Sequence, residues 1–95
     1  MYTICVIFDC LDGQREAFIR RVKTEGILDA IRAEDGYIQY EYFLSEHDPN
    51  SLLLVERWAS KEAQQRHIEQ PHMAQLRGFK GEYIRTTELR EVEIK

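Results

Sequence analysis

Apolar residues run through the chain in short segments, and their spacing predicts four strands. Residues 2–9 (YTICVIFD) are β-branched or apolar at most positions, which is typical of a buried strand. Two further apolar runs, the first rich in aromatic residues, flank a polar turn at 45–51 and therefore predict a long β-hairpin. The predicted strands cover residues 2–9, 37–44, 52–59 and 82–94, the last charged on both faces.

A longer apolar period, close to that of an α-helix, marks residues 14–33. Gly26 lies inside this helix, where it costs about 1 kcal/mol relative to alanine, so a kink or break is expected there. Ser60 is a favourable N-cap and predicts that a second helix begins after it. The predicted segments beyond this cap are a short helix interrupted at Pro71, further helical turns at 72–77 and a GFKG loop at 78–81.

The predicted element order is β-α-β-β-α-β. This order is typical of an α+β, ferredoxin-like fold, in which helices cover one face of an antiparallel sheet. The 95 residues are expected to form a single domain, 1–95. Large apolar residues nevertheless alternate onto both faces of the strands, as Val6 and Ile7 or Leu54 and Val55 illustrate. Because an exposed apolar sheet face usually marks an interface, we predict a homodimer that packs sheet on sheet.

The charge pattern, the lengths of the apolar runs and the cysteine spacing indicate which partners and which cellular compartment to expect. A formal net charge of −4, with basic and acidic residues interleaved, argues against a nucleic-acid partner, which requires clustered cations. No apolar run approaches the roughly 18 residues that span a bilayer, and no secretory leader is recognisable, so we expect a cytoplasmic protein without a membrane partner. Cys5 and Cys10 would lie about 16 Å apart in an extended strand, too far for a disulfide, which suits a reducing compartment.

A tryptophan and a histidine are the main candidates for chemistry. Glu56 and Trp58 alternate onto the same side of their strand, and Ala63 and His67 share a helix face that is expected to point inward. A neutral imidazole beside an indole is suited to position a small polar aromatic ligand, and the imidazole to act as a general base. Structural roles remain open: a core tryptophan, a buried hydrogen-bonded histidine, and a glutamate paired with Arg57 at the surface.

No metal site is predicted. His67 and His72 lie on either side of Pro71, a spacing that fits no zinc motif. Glu69 lies between them, whereas His47 belongs to a distant turn. The sequence carries no flavin, nicotinamide or phosphate-loop fingerprint, so any reaction is expected to proceed without a motif-bound cofactor. His72 is interpreted as part of a helix boundary.

Residues 34–73 taken together resemble the antibiotic biosynthesis monooxygenase (ABM) domain family. The family pattern is an E-x-G turn, an aromatic strand, a D-P-type hairpin, a strand ending E-x-W, an alanine four or five residues further on and a final H-x3-P-H. The matching residues of this sequence are Glu34, Gly36, Tyr40, Asp48, Pro49, Glu56, Trp58, Ala63, His67, Pro71 and His72. The first strand and the start of the first helix also match, so the likeness extends over nearly the whole chain.

The resemblance implies a ferredoxin-like protomer within a dimeric α+β barrel. Enzymes of this family oxidise small quinols and phenols with O₂ as co-substrate and with no added metal or flavin, because the activated substrate anion itself reduces oxygen. The resemblance further implies that Trp58 and His67 are the catalytic residues, at a cavity between the sheet and the helices. Glu56, Tyr40 and Phe79 would contact the substrate, with Phe79 acting as a lid in the predicted GFKG loop.

Two alternatives to an oxygenase remain open. One is a non-catalytic dimeric module that binds a small ligand without turnover. The other is an isomerase or degradative enzyme for a small phosphorylated signalling metabolite, which would require Arg57, Arg66 and Arg77 to gather at the cavity. Haem degradation, an activity of another branch of the family, is disfavoured because the first strand carries no asparagine.

Overall fold

A computed structural model describes residues 1–93, and its elements follow the predicted order with each helical region divided into two helices. The elements are β1 (Tyr2–Cys10), α1 (Arg15–Thr24), α2 (Ile27–Arg32), β2 (Tyr37–Leu44), β3 (Ser51–Trp58), α3 (Lys61–Ile68), α4 (Pro71–Lys80) and β4 (Ile84–Val92). The strands form one antiparallel sheet in the order β2-β3-β1-β4. The predicted α+β, ferredoxin-like fold is confirmed.

Both predicted helix interruptions are present. Gly26 separates α1 from α2 with a φ of +75°, a left-handed conformation that glycine adopts readily. Pro71 begins α4, where its missing N–H is harmless because first-turn N–H groups have no partner within a helix. Ser60 caps α3 as predicted, its hydroxyl accepting the backbone N–H of Ala63 at 3.1 Å.

The prediction of a loop at residues 78–81 (GFKG) is wrong. Helix α4 continues to Lys80, so this segment is helical and Phe79 lies on a helix. Helix formation continues through the first glycine of the segment because Leu76 and Phe79 are both buried in the core. Tertiary packing of an apolar helix face outweighs the weak helix propensity of one glycine.

The core occupies the helix-covered face of the sheet, and the opposite face is also apolar. The buried strand residues that point toward the helices include Ile4, Val6, Phe8, Tyr40, Leu52, Leu54, Glu56 and Trp58. Among residues 1–93 no helix covers the other face, where Cys5 pairs with Val55 and Ile7 with Leu53. Ile7 is 38% exposed, and Phe43 of β2, opposite Leu53, is 43% exposed. The apolar residues predicted on both faces are therefore present in the protomer.

Strand β4 forms one edge of the sheet, next to β1, and most of it is exposed. It lies within the predicted range 82–94, of which residue 94 falls outside the described residues. Leu89 lies opposite Val6 and yet is 57% exposed, because the helices do not extend over this end of the sheet. The helix-covered face is therefore open along β4. Within residues 1–93, the helices are too short or too polar to cross a membrane.

Candidate functional site

The imidazole of His67 lies in the interior, between helix α3 and the sheet. His67 and Ala63, one helical turn apart, form the buried face of α3, with exposures of 1% and 2%. The ring of His67 packs on that of Trp58 with 4.5 Å between centroids, and the ring of Tyr40 lies 5.6 Å away on the neighbouring strand. The sequence prediction that His67 points inward toward Trp58 is confirmed.

Gly36 brings the turn before β2 against helix α3. Its φ is +83°, and a Cβ atom added there would lie 2.7 Å from the Cβ of Ala63. Its carbonyl oxygen accepts the backbone N–H of Ala59 at 2.8 Å, which joins the turn to the segment just before α3. Only glycine meets both the conformational and the steric requirement here. The close approach places Glu34, two residues earlier, beside His67.

Glu34 joins the two histidines of the sequence motif. Its Oε2 atom lies 2.8 Å from Nδ1 of His67 and 2.7 Å from Nε2 of His72. The Glu34 side chain is 8% exposed and that of His72 17% exposed, so the carboxylate is largely removed from water. Because a carboxylate accepts hydrogen bonds, the short contact places a proton on Nδ1 of His67 and leaves Nε2 as an acceptor in the neutral ring.

Glu56 lies on the other side of the His67 ring. Its Oε1 atom accepts the indole N–H of Trp58 at 3.1 Å and lies 3.7 Å from Nε2 of His67. Burial raises the pKa of Glu56 to about 7, an effect that the Trp58 hydrogen bond opposes and the nearby Glu34 charge reinforces. Burial lowers the pKa of His67, although Glu34 favours its protonated form. At neutral pH the pair therefore consists of a neutral imidazole and a carboxyl group close to its titration midpoint.

A cavity of about 200 Å³ lies beside this pair, between the sheet and helices α3 and α4. Glu56, His67 and Tyr40 lie in its wall. The remaining wall is mostly apolar and is formed by Val6, Phe8, Phe18, Tyr42, Leu54, Gln64, Ile68, Met73, Leu76, Arg77, Lys80, Thr87 and Leu89. The exposed members Ile68, Arg77, Thr87 and Leu89 mark its open side, next to β4. Cavities of about 150 Å³ hold a benzene ring, so this one has room for a single-ring aromatic molecule.

Tyr42 is a polar group in this wall that sequence reasoning did not single out. Its hydroxyl oxygen is buried and makes no well-formed hydrogen bond among the described residues, with the Tyr40 hydroxyl as its polar neighbour. Buried hydroxyl groups rarely remain without a partner, and one that borders a cavity is available to a ligand. The aromatic run of β2 contained it, but only the register of the sheet places Tyr42 beside the cavity rather than on the open face.

Two predicted site residues occupy other positions than expected. Trp58 is fully buried and does not line the cavity; it lies behind His67 and Glu56 and contacts both. Phe79 is not a lid, because it lies on α4 with an exposure of 3% and packs against the rings of Phe18 and Tyr83 in the core. The three residues that the structure does bring together at the cavity are Tyr40, Glu56 and His67.

Glu34 and His72 are members of the site that the sequence did not reveal as such. Both belonged to the family pattern, Glu34 as the first residue of the E-x-G turn and His72 as the last residue of H-x3-P-H. Their sequence separation of 38 residues concealed the contact, and His72 was interpreted only as a helix boundary. Pro71 starts α4 in a direction that returns His72 to the turn containing Glu34.

Within residues 1–93, the cluster that is able to hold a metal ion consists of Glu34, His67 and His72. Their ligand atoms all lie within 4.8 Å of one another. Two histidines and one carboxylate form a ligand set used by zinc and iron. Glu34 and His72 also border a second hollow, of about 510 Å³, on the outer side of the protein.

The arginines considered for phosphate binding do not gather at one place. Arg77 lines the cavity, together with Lys80. Arg66 lines the outer hollow instead, and Arg57 lies on the open sheet face opposite Thr3. Burial lowers the pKa of Lys80, whose ammonium group lies 5.2 Å from the ring centroid of Phe8.

Solved structures share this fold over nearly their whole length. PA3566 from Pseudomonas aeruginosa superposes with a TM-score of 0.85 at 20% identity and covers 99% of this chain and 93% of its own. A protein of Nitrosomonas europaea, named as a candidate antibiotic biosynthesis monooxygenase, gives 0.85 at 18% identity, with 98% and 97% covered. Rv0793 from Mycobacterium tuberculosis gives 0.81 at 25% identity, with 99% and 94% covered.

The amino-acid sequence identifies the family. No curated protein sequence matches it significantly. The family model described as "Antibiotic biosynthesis monooxygenase" matches residues 1–78, which include β1 through most of α4 and every residue of the Glu34–His67–His72 cluster. The chain therefore belongs to the antibiotic biosynthesis monooxygenase (ABM) family.

Proposed function

We propose that this protein is a cofactor-independent monooxygenase that acts on a small quinol or phenol. One observation carries the proposal: an apolar cavity of single-ring size is bordered by the His67 imidazole and the Glu56 carboxyl group, with Glu34 fixing the imidazole from behind. Family membership supports a reaction of the monooxygenase type, and the cavity supports a small aromatic substrate.

The first step is removal of a hydroxyl proton from the substrate. Nε2 of His67 is the acceptor, because its Nδ1 proton is held by Glu34. Glu56 lies 3.7 Å from Nε2 and, with a pKa of about 7, exchanges protons readily at neutral pH. The resulting phenolate is far easier to oxidise than the phenol. The Tyr42 hydroxyl, which makes no well-formed hydrogen bond within residues 1–93, is available to donate a hydrogen bond to a substrate oxygen.

The substrate itself supplies the electrons for oxygen reduction. The anion transfers electrons to O₂, and a bond forms between a ring carbon and one oxygen atom. The ring carbon then loses its proton, the C–H electron pair forms a C=O bond as the O–O bond breaks, and the outer oxygen leaves as hydroxide, so that a hydroquinone plus O₂ gives a hydroxyquinone plus water. The four electrons needed to reduce O₂ all come from the ring, and no external reductant enters. His67 and Glu56 return protons to the departing oxygen.

Oxygen consumption provides the test. Wild-type protein is mixed with small hydroquinones and phenols in an oxygen electrode, with the uncatalysed oxidation of each compound subtracted. We expect His67→Gln to lower the catalysed rate by about 100-fold or more, the range for loss of a general base. His47→Gln is the matched control, because His47 is exposed in the β2–β3 turn. Uptake by the wild type that does not exceed that of His67→Gln contradicts the proposal.

We also propose that the protein works as a homodimer formed by the open sheet face. Apolar residues on this face are partly exposed, and charged residues surround them, among them Glu41, Arg57, Glu88 and Arg90. An apolar centre with a polar rim is the usual organisation of a protein interface. The ABM family is generally dimeric, which supports the same assignment.

Turnover of a small phosphorylated molecule is a second candidate function. Arg77 and Lys80 line the cavity, and Lys80 makes no ion pair with the acidic groups of residues 1–93. A phosphate would occupy this open side while the rest of the molecule entered the cavity. Binding of a sugar phosphate that is abolished in Lys80→Gln, together with an absence of oxygen uptake, would favour this candidate over the oxygenase.

A further inference from the structure

The contact between Glu34 and His67 forms the wall between two hollows. His67 borders the inner cavity, whereas Glu34 and His72 border the outer hollow together with Asp35, Arg66 and Gln70. A solute in the outer hollow therefore meets Glu34 and His72 without entering the substrate cavity, and the Glu34 carboxylate that it meets contacts Nδ1 of His67 at 2.8 Å. In the proposed oxygenase reaction the substrate proton is accepted at Nε2, on the other side of the same ring.

We propose that Glu34, His67 and His72 bind a Zn²⁺ ion from the outer hollow. The ligand set of two histidines and one glutamate, with a fourth position left to water, is that of catalytic zinc sites. Oε2 of Glu34 already lies 2.7–2.8 Å from both nitrogen atoms. Tetrahedral bonds of about 2.0 Å require all three ligand atoms to lie about 3.3 Å apart. The two Glu34 contacts must therefore lengthen by roughly half an ångström, and the two histidine nitrogen atoms, which lie within 4.8 Å of each other, must approach by up to about 1.5 Å to admit the ion.

The surroundings of His67 suit a metal ligand. When Nδ1 binds zinc, Nε2 carries the remaining proton and points toward Oε1 of Glu56, which lies 3.7 Å away. Trp58 holds that carboxyl group in place at 3.1 Å. A carboxylate that accepts the second N–H of a metal-bound histidine is a regular feature of zinc sites and strengthens metal binding. Glu34, His67 and His72 come from three separate segments, so the folded chain is needed to assemble the site.

Zinc in this site would stop the proposed oxygenase reaction. The free enzyme has its proton on Nδ1 and an acceptor at Nε2, and zinc binding reverses this arrangement. Nε2 then carries a proton and no longer accepts one from a phenol. The inhibition rests on the proposed function, whereas the binding of zinc does not.

Titration of untagged, metal-free protein with Zn²⁺ in the presence of a chromophoric chelator tests the site. We expect one ion per chain for the wild type, and at least tenfold weaker binding for His72→Asn and Glu34→Gln. Glu56→Gln, which touches no metal, should weaken binding by about tenfold, because partners of metal ligands contribute 10–100-fold to affinity. His47→Asn should bind like the wild type. Thermal melts and circular dichroism of each variant confirm that it is folded.

Three outcomes would overturn the proposal or its consequence. Equal affinities for wild type and His72→Asn would show that zinc binds elsewhere, as would a loss of binding in His47→Asn. Stoichiometric zinc binding that leaves oxygen uptake unchanged would overturn the inhibition alone. If no phenol or quinol is oxidised, the oxygenase fails as a function, but the titration still decides whether the zinc site exists.

Discussion

The indole N–H of Trp58 donates a hydrogen bond to Oε1 of Glu56 at 3.1 Å, inside the core and behind the cavity wall. The tryptophan that marks the family in the sequence is therefore placed to act on a carboxyl group rather than on the substrate. The carboxyl group is in turn 3.7 Å from His67. In the proposed mechanism, Trp58 is a positioning residue for the Glu56–His67 pair.

Replacement of Trp58 by phenylalanine should shift the pH dependence of activity. The hydrogen bond from Trp58 lowers the pKa of Glu56, so its removal raises that pKa further above 7. A hydrogen bond to a charged group contributes about 1.5–3 kcal/mol, or one to two pKa units. If the proposed mechanism requires the ionised form of Glu56 to take the proton from His67, kcat rises with pH, and we expect this rise to move by about one unit to alkaline pH. An unchanged pH profile with lower stability would instead assign Trp58 a packing role alone.

Glu56 should make the folded protein less stable as pH rises. Its pKa is about 7 in the folded state and near 4.5 when unburied. A pKa that is higher in the folded state gives stability that is fully present below pH 4.5 and lost as pH rises through 7. The difference corresponds to about 3 kcal/mol. Urea unfolding at pH 5, 6.5 and 8 should show this decline in wild type and a flatter profile in Glu56→Gln.

Glu34→Gln should lower kcat more than it changes KM. Glutamine retains a carbonyl acceptor for His67 but loses the negative charge that stabilises a protonated imidazole during catalysis. We expect a decrease of about 10–100-fold in kcat at pH 7.5, with KM within about twofold. Glu62→Gln, an exposed glutamate in the first turn of α3, is the control. Equal kinetics for the two variants would remove Glu34 from the mechanism.

Gly36→Ala should destabilise the protein more than Gly13→Ala. Both glycines have positive φ angles, +83° and +73°, so both variants carry the cost of about 1–2 kcal/mol of a left-handed alanine. Only at position 36 does the new Cβ meet another atom, Cβ of Ala63 at 2.7 Å; around Gly13 nothing lies within 4 Å. Overpacking adds about 1–3 kcal/mol. Denaturant midpoints of the two variants measure the difference, and equal values would contradict the close approach.

Leu53→Asp should dissociate the proposed dimer. Leu53 lies near the centre of the open face, between Ile7 of β1 and Phe43 of β2, and a charge there would be buried in a sheet-on-sheet interface. Leu44→Asp is the control, because Leu44 is 47% exposed but lies opposite Leu52, on the helix-covered face. Sedimentation at micromolar concentration should give a dimer for wild type and Leu44→Asp, and a monomer for Leu53→Asp. A monomeric wild type would contradict the interface.

Local patterns in the sequence determined the fold. The alternation of strand residues placed Glu56 and Trp58 on one face, and helical spacing placed Ala63 and His67 on one face, because both depend only on the geometry of one element. Gly26 and Pro71 marked the helix breaks because their effects on the backbone are local. The GFKG segment was mispredicted because its conformation depends on tertiary packing: burial of Phe79 in the core overrides the local preference of glycine.

The tertiary structure decided the composition of the site. Glu34 is 33 residues from His67 and 38 from His72, and their contact arises from Gly36 packing on α3 and Pro71 starting α4 in a new direction. Trp58 was placed on the correct face by the sequence, but its depth behind His67 depends on how the helices dock on the sheet. Spacing along a chain fixes which residues share a face; packing between elements fixes which atoms meet and which of them reach a cavity.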